Sequence, residues 1–258
     1  MQPHVSSHRQ YNVRETNLMT PSTSDSTILV PVDVSEPATP ARGLVELLHP
    51  LRIVLLGYYP VPDQTTPDQF QQEHGEEAAA DLDRIAEPFV DREATVESIV
   101  VFTRDRSKTI DRIANEYDCD AVLTTGDVDA LTDVLVPLKG DVNLDRIVTF
   151  VGELLGENDA SVMLFHAATD EEDAEQSEFI LRGVADRLTE IGIDEDRIDW
   201  SLAETNTPEA EIVAVSAAYD LVVIGESEPS LKDRILGDVP TGIIDRVDSP
   251  VLVVRRSS

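Results

Sequence analysis

Lysine is nearly missing from this chain, and that shortage, set against a surplus of acids, is the most informative feature of its composition. Only Lys108, Lys139 and Lys232 occur; Lys and Arg together number 20 against 51 Asp and Glu, for a net charge of -31. A surface this anionic repels nucleic-acid phosphates and anionic lipid, which argues against both as partners. Cysteine is reduced to Cys119, so an intrachain disulfide and a Cys-built metal cluster are excluded. A single thiol fits a reducing compartment, and a cytoplasmic location is expected. No apolar run approaches the ~18 residues needed to cross a bilayer, so membrane insertion is not expected. Aromatic residues make up only 5%, so any core must be built from Val, Ile, Leu and Ala.

What is present points to folded α/β structure. Apolar residues make up 41% of 258 residues, and that length exceeds the ~100–150 residues of a typical single domain. The acids are spread among periodic apolar segments instead of gathered in a block, which argues against a disordered acidic tail. A folded protein working in concentrated salt accounts for them better, because the Debye length shrinks to ~3 Å at 1 M. Residues 1–25 differ from the rest. They are polar, carry His4, His8, Arg9 and Arg14 but few acids, and lack the apolar stretch of a secretory signal. They read either as a disordered tail or as residues upstream of a true start at Met19.

Short apolar runs alternate with helical patterns. The expected strands are Thr27–Asp33, Leu51–Gly57, Glu97–Phe102 and Asp120–Gly126. Between them, residues 41–48, 76–89 and 107–117 place apolar side chains on one helical face. Strands alternating with helices imply βαβ units and a parallel sheet, and near-continuous apolar strands imply helices on both faces. The pattern then restarts. Asp133–Lys139 repeats Thr27–Asp33 with Leu-Val-Pro in register. Strands at 161–166, 198–202, 220–225 and 249–255 follow, with helices at 143–155, 177–191, 208–219 and 240–247. A repeat of domain length is a duplication.

These residues carry a resemblance. Leu29-Val-Pro-Val-Asp33, the strand ending at His166, Asp220-Leu-Val-Val-Ile-Gly225 and Pro250-Val-Leu-Val-Val-Arg255 are similar to segments of the universal stress protein family. The likeness runs from Ser26 to the C-terminus and is stronger in the second copy. It implies two open parallel-sheet α/β domains of the adenine-nucleotide α-hydrolase-like type, one over 26–130 and one over 131–258. The first is truncated after Gly126 and lacks the family's glycine-rich loop and fifth strand. In nucleotide-binding members an Asp ending strand one contacts adenosine, and a loop G-x2-G-x9-G-[ST] after strand four cradles phosphates. Ligands sit beyond the carboxyl ends of strands in such sheets, where glycines admit backbone N–H groups to phosphate.

Mapped onto this chain, the resemblance singles out Asp33, Gly225, Gly237 and Asp238 as a degenerate nucleotide site. Asp33 keeps the strand-one acid but has no loop; its other reading is a turn cap. In the second copy Lys139 replaces that acid, Glu228 replaces the second glycine, the spacing to Gly237 is one residue short, and Asp238 replaces the final Ser or Thr. Asp238 suits an N-cap, already satisfying the groups a phosphate would use. An anion pair at ~4 Å costs about 4 kcal/mol at an effective dielectric near 20. Tight ATP binding, and hence a resident cofactor, is therefore not expected, although Lys139, Lys232 and Arg234 offset some charge.

No nucleophile, base and orienter come together, so no catalytic residue is assigned and the chain is not expected to be an enzyme. His166 and Cys119 read as structural, and Gly126-Asp-Val-Asp129 lacks the later ligands of a calcium loop. The leading functional expectation is a non-catalytic binding or regulatory protein acting through protein contacts. The alternatives are an ATP-binding stress switch with slow autohydrolysis and a soluble regulator of a membrane transporter. Family members commonly pair through the fifth strand. The apolar run 250–254 is therefore expected at a sheet edge, forming a homodimer, since an unpaired apolar edge is a liability.

Overall fold

The computed structural model describes residues 24–124, 130–139, 143–226, 241–244 and 246–256, and for 13–15, 241 and 242 the backbone alone. Gly237 and Asp238 lie outside these residues.

The apolar runs form strands wherever the sequence places them. In the first half they are β2 (Thr27–Asp33), β3 (Arg52–Pro60), β4 (Thr95–Thr103) and β5 (Ala121–Leu123). The second half supplies β6 (Asp133–Pro137), β7 (Ser161–Ala168), β8 (Ile198–Glu204), β9 (Leu221–Gly225) and β10 (Val251–Val254). A short strand, β1 (Val13–Glu15), adds antiparallel to β4, within the stretch expected to be a disordered tail. The connecting helices are α1 (Arg42–Leu48), α2 (Pro67–Val90), α3 (Arg106–Glu116), α4 (Leu144–Leu155), α5 (Glu171–Glu190), α6 (Pro208–Ser216) and α7 (Thr241–Ile244).

All ten strands join one sheet in the order β1-β4-β3-β2-β5-β10-β9-β6-β7-β8. Pairing is parallel except at β1–β4 and β5–β10. Each half is thus an open parallel sheet whose order reverses beside its first strand: β4-β3-β2-β5 in one, β8-β7-β6-β9-β10 in the other.

The antiparallel joint corrects one expectation. Residues 251–254 are not at a sheet edge. β10 takes β9 on one side and β5 on the other, with Leu252 opposite Leu123 and Val253 opposite Val122. The reason lies in the truncation: without a fifth strand of its own, the first half leaves the outer side of β5 open, and β10 of the same chain fills it. Thr124 N and Arg255 N donate to Val251 O (2.9 Å) and Asp120 O (2.7 Å) at the two ends of this ladder. A homodimer through residues 250–254 has no free edge to use.

The core follows the same logic. On one face α1, α2, α4 and α5 cover a continuous apolar layer that crosses the joint, from Ile28, Leu55 and Leu82 through Leu123 and Leu252 to Val162 and Leu188. On the other face α3 packs on Leu29, Val54 and Val122, while α6 and α7 flank Leu135, Val222 and Val253. Successive strand residues alternate between the two layers, as a pleated sheet requires.

Candidate functional site

Each half has a point where strand order reverses, between β2 and β5 and between β6 and β9. Clefts at such points are where open α/β sheets bind ligands. The repeated Leu-Val-Pro explains how they open here. Asp120 N donates to Thr27 O at 2.7 Å, so residues 27, 29 and 31 aim their backbone groups at β5. Pro31 holds the next position in that ladder and has no N–H to give. Pairing of β2 with β5 accordingly stops at Leu29. In the second half Asp220 N donates to Asp133 O at 3.0 Å, pairing of β6 with β9 stops at Leu135, and Pro137 holds the corresponding place. The ladder within each pair of strands thus ends before its proline.

Below each proline the two strands are tied by a carboxylate that the sequence reading passed over. Asp120 Oδ2 accepts from Thr27 N (2.8 Å), and Asp220 Oδ2 accepts from Thr132 N (2.8 Å), Thr132 Oγ1 (2.7 Å) and Asp133 N (3.1 Å). Partial burial works against ionising Asp220, but these hydrogen bonds outweigh it and hold its carboxyl below the usual range. An Asp before the fourth strand of both copies was the available signal. Asp120 also pairs with Arg146 of α4 (2.5 Å), tying the halves together.

In the first half a cavity of about 170 Å³ is lined by Pro31, Asp33, Pro40, Leu44, Leu123 and Thr124, among others. Small-molecule sites usually span ~300–1,000 Å³, so this cavity is smaller than most. Asp33 stands at its mouth, and its Oδ1 accepts from Ser35 N (2.9 Å) and Ser35 Oγ (2.6 Å), the geometry of a turn cap. Thr124 closes the far wall. Its N–H and Oγ1 both donate to Val251 O, and its carbonyl accepts from Arg106, whose guanidinium lies 4.9 Å from the centre of the Tyr58 ring. The start of β10 is thus anchored to the residue from which a phosphate loop would depart.

In the second half Lys139 is exposed just beyond β6. The buried His166 ring is engaged through both nitrogens, Nδ1 with Leu138 O (2.7 Å) and Nε2 with Asp173 Oδ1 (3.2 Å). Asp173 also accepts from Thr169 N, and that bond first, then the His166 contact, holds its carboxyl below the usual range despite some burial. Gly225 ends β9, where an added Cβ would meet Ile147 Cδ1 of α4 at 2.8 Å, so close strand–helix packing accounts for this glycine. Glu226 N donates to Val254 O (2.8 Å) and Glu226 Oε2 accepts from Arg256 N (2.9 Å). Asp33 and Gly225 therefore belong to separate clefts, one in each half. Cys119 is buried, and burial pushes its thiol up to about 12. Among the described residues no cluster of His, Cys, Asp and Glu could hold a metal ion, and no helix is long and apolar enough to cross a membrane.

The two halves, each an open parallel sheet, match what is known of other proteins. The family model described as the universal stress protein family matches residues 131–255. The second half of the chain is thus similar to a universal stress protein domain. Among solved structures, a universal stress protein from Archaeoglobus fulgidus DSM 4304 superposes with a TM-score of 0.61 at 17% identity, covering 90% of this chain and 97% of that one. A functionally unknown protein from Pseudomonas aeruginosa PAO1 gives 0.55 at 16% identity over 89% and 92% of the two chains. A putative universal stress protein from Pseudomonas aeruginosa UCBPP-PA14 gives the same values. These likenesses span both halves, so the first half shares the universal stress protein fold. No curated protein sequence matches the chain.

Proposed function

We propose that the chain is a non-catalytic binding and regulatory protein whose two nucleotide clefts are degenerate, working in the cytoplasm of a salt-rich cell. The observation that carries this reading is the state of the two strand-one ends. In the first half the Asp33 carboxylate accepts from Ser35 beside a cavity smaller than most small-molecule sites. In the second half Lys139 stands where that carboxylate belongs, and the carboxylate of Glu226 is turned to the backbone of Arg256. The net charge of -31 supports the high-salt setting. The second reading, an ATP-binding switch, is favoured only by the cavity beside Asp33.

A thermal melt in concentrated salt, with and without millimolar Mg-ATP or AMP, separates the two. Ligand at 100 times its Kd stabilises by about 2.7 kcal/mol, or roughly 5–10 °C for a chain of this size. The expected result is no shift with either nucleotide. A rise of that size that disappears in Asp33→Ala would replace this reading with a switch seated in the first half.

A further inference from the structure

The two outer edges of the sheet are treated differently. β4 is covered by β1, whereas among the described residues no strand pairs with the outer side of β8. A second observation falls at the same place. Among the described residues the exposed large apolar side chains are Phe179, Ile191 and Trp200. Ile191 lies against Gly152 of α4, whereas Trp200 belongs to β8 and Phe179 to α5, the helix beside it. Trp200, the only tryptophan in the chain, is in the middle of β8, and the Arg182 guanidinium of α5 lies 5.3 Å from its ring centre. Phe179 precedes Arg182 by three residues on α5, which makes them surface neighbours, and it is 81% exposed. Two of the chain's few aromatic residues are thus exposed, one on β8 and one on the helix beside it.

The backbone of that edge is ordered for pairing. Thr205 N donates to Ala168 O at 2.8 Å, so Asp199, Ser201 and Ala203 aim their backbone groups inward at β7. Ile198, Trp200, Leu202 and Glu204 aim theirs outward.

We propose that β8 pairs antiparallel with β8 of a second copy of this chain, about a two-fold axis at Ser201. In this register all seven residues of β8 find partners. Trp200 faces Leu202 and Ile198 faces Glu204 as hydrogen-bonded pairs, while Asp199 faces Ala203 and Ser201 faces itself between them. No acid lies directly opposite an acid, the condition a chain of net charge -31 has to meet to pair with itself. Trp200 and Leu202 of both copies share the face that carries α5, so Arg182 and Phe179 flank the new seam. Isologous pairing of this kind is closed, and it joins two ten-stranded sheets without leaving either β8 edge open.

The experiment is sedimentation at tens of micromolar protein in about 2 M salt, where charge repulsion is screened. The expected species has twice the 28.4 kDa chain mass. Trp200→Pro removes an outward N–H and leaves the β7 ladder intact, as edge prolines do. It should weaken association at least tenfold while far-ultraviolet circular dichroism stays unchanged. Ser201→Cys in a Cys119→Ser background tests the register. Residues directly opposite in a non-hydrogen-bonded pair lie ~4.5 Å apart at Cα, within disulfide range, so mild oxidation should give a covalent dimer. Trp200→Cys, placed off the axis and facing Leu202, should not cross-link to itself. A wild-type monomer under these conditions overturns the proposal. So does a dimer that keeps its affinity in Trp200→Pro, or one that oxidises through Trp200→Cys and not through Ser201→Cys.

Discussion

Replacing Leu252 by Ala strikes the joint between the halves. Leu252 is fully buried in β10, opposite Leu123, within the apolar layer that runs through both halves. Three carbon atoms leave the core, and at ~0.8 kcal/mol each their transfer is worth about 2.4 kcal/mol. The site has strands on both sides and helices above, so it collapses poorly and a cavity cost adds to the transfer cost. Buried Leu→Ala changes of this kind cost ~2.7–5 kcal/mol. The same change should lower Tm by roughly 5–15 °C. The decisive point is where the loss is felt. Trp200 fluorescence reports on the second half, and alkylation of the buried Cys119 thiol reports on the first. A urea titration in concentrated salt followed by both should give coincident midpoints in the wild type, and both should move together in Leu252→Ala. A loss under ~1 kcal/mol, or a shift of the Trp200 signal with Cys119 protection unchanged, would refute a shared core.

Other consequences are more local. Asp220 and Asp173 both have depressed carboxyl values in the folded chain, so their contribution is present above the unfolded value near 3.9 and is lost as pH falls through the folded value. Asp220→Asn should therefore flatten the acid limb of a stability-versus-pH curve while costing about 1–3 kcal/mol at neutral pH; an unchanged acid limb would contradict the clamp. Gly225→Val should destabilise by about 1–3 kcal/mol through its clash with Ile147, and Ile147→Ala in the same chain should recover part of the loss in a double-mutant cycle. With its thiol raised to about 12, Cys119 should resist alkylation at pH 8 in the native chain and react fully in denaturant; fast native labelling would contradict its burial.

Much of this fold was legible because most of the strands are buried and read as continuous apolar runs in a duplicated order. Length and ends were harder. α2 starts at Pro67, nine residues before the periodic pattern, because Asp68–Gly75 is polar apart from Phe70; Thr66, accepting from Gln69 N, and Pro67 at the first position were the overlooked signals. α5 begins at Glu171 because Asp170 accepts from Asp173 N and the acids Glu171–Asp173 suit a helix start, so the charge run is the first turn itself. The neighbour of β10 was not legible. Periodicity shows which residues are buried, but the choice between a second chain and the open side of β5 depends on where the truncated half sits in space. The clefts were partly legible: the Leu-Val-Pro repeat was visible as a repeat, and its role in ending the ladder emerged only with the strand order.

The most direct test of one continuous sheet within one chain is disulfide trapping across the joint. Leu123 and Leu252 lie opposite each other between hydrogen-bonded pairs, so Leu123→Cys with Leu252→Cys in a Cys119→Ser background brings two thiols within bonding range. The expected product is an intrachain disulfide at the 28.4 kDa chain mass, whatever the protein concentration. A disulfide that instead links two chains would mean that the C-terminal strand pairs between molecules, and the account of one continuous sheet within a chain would fail.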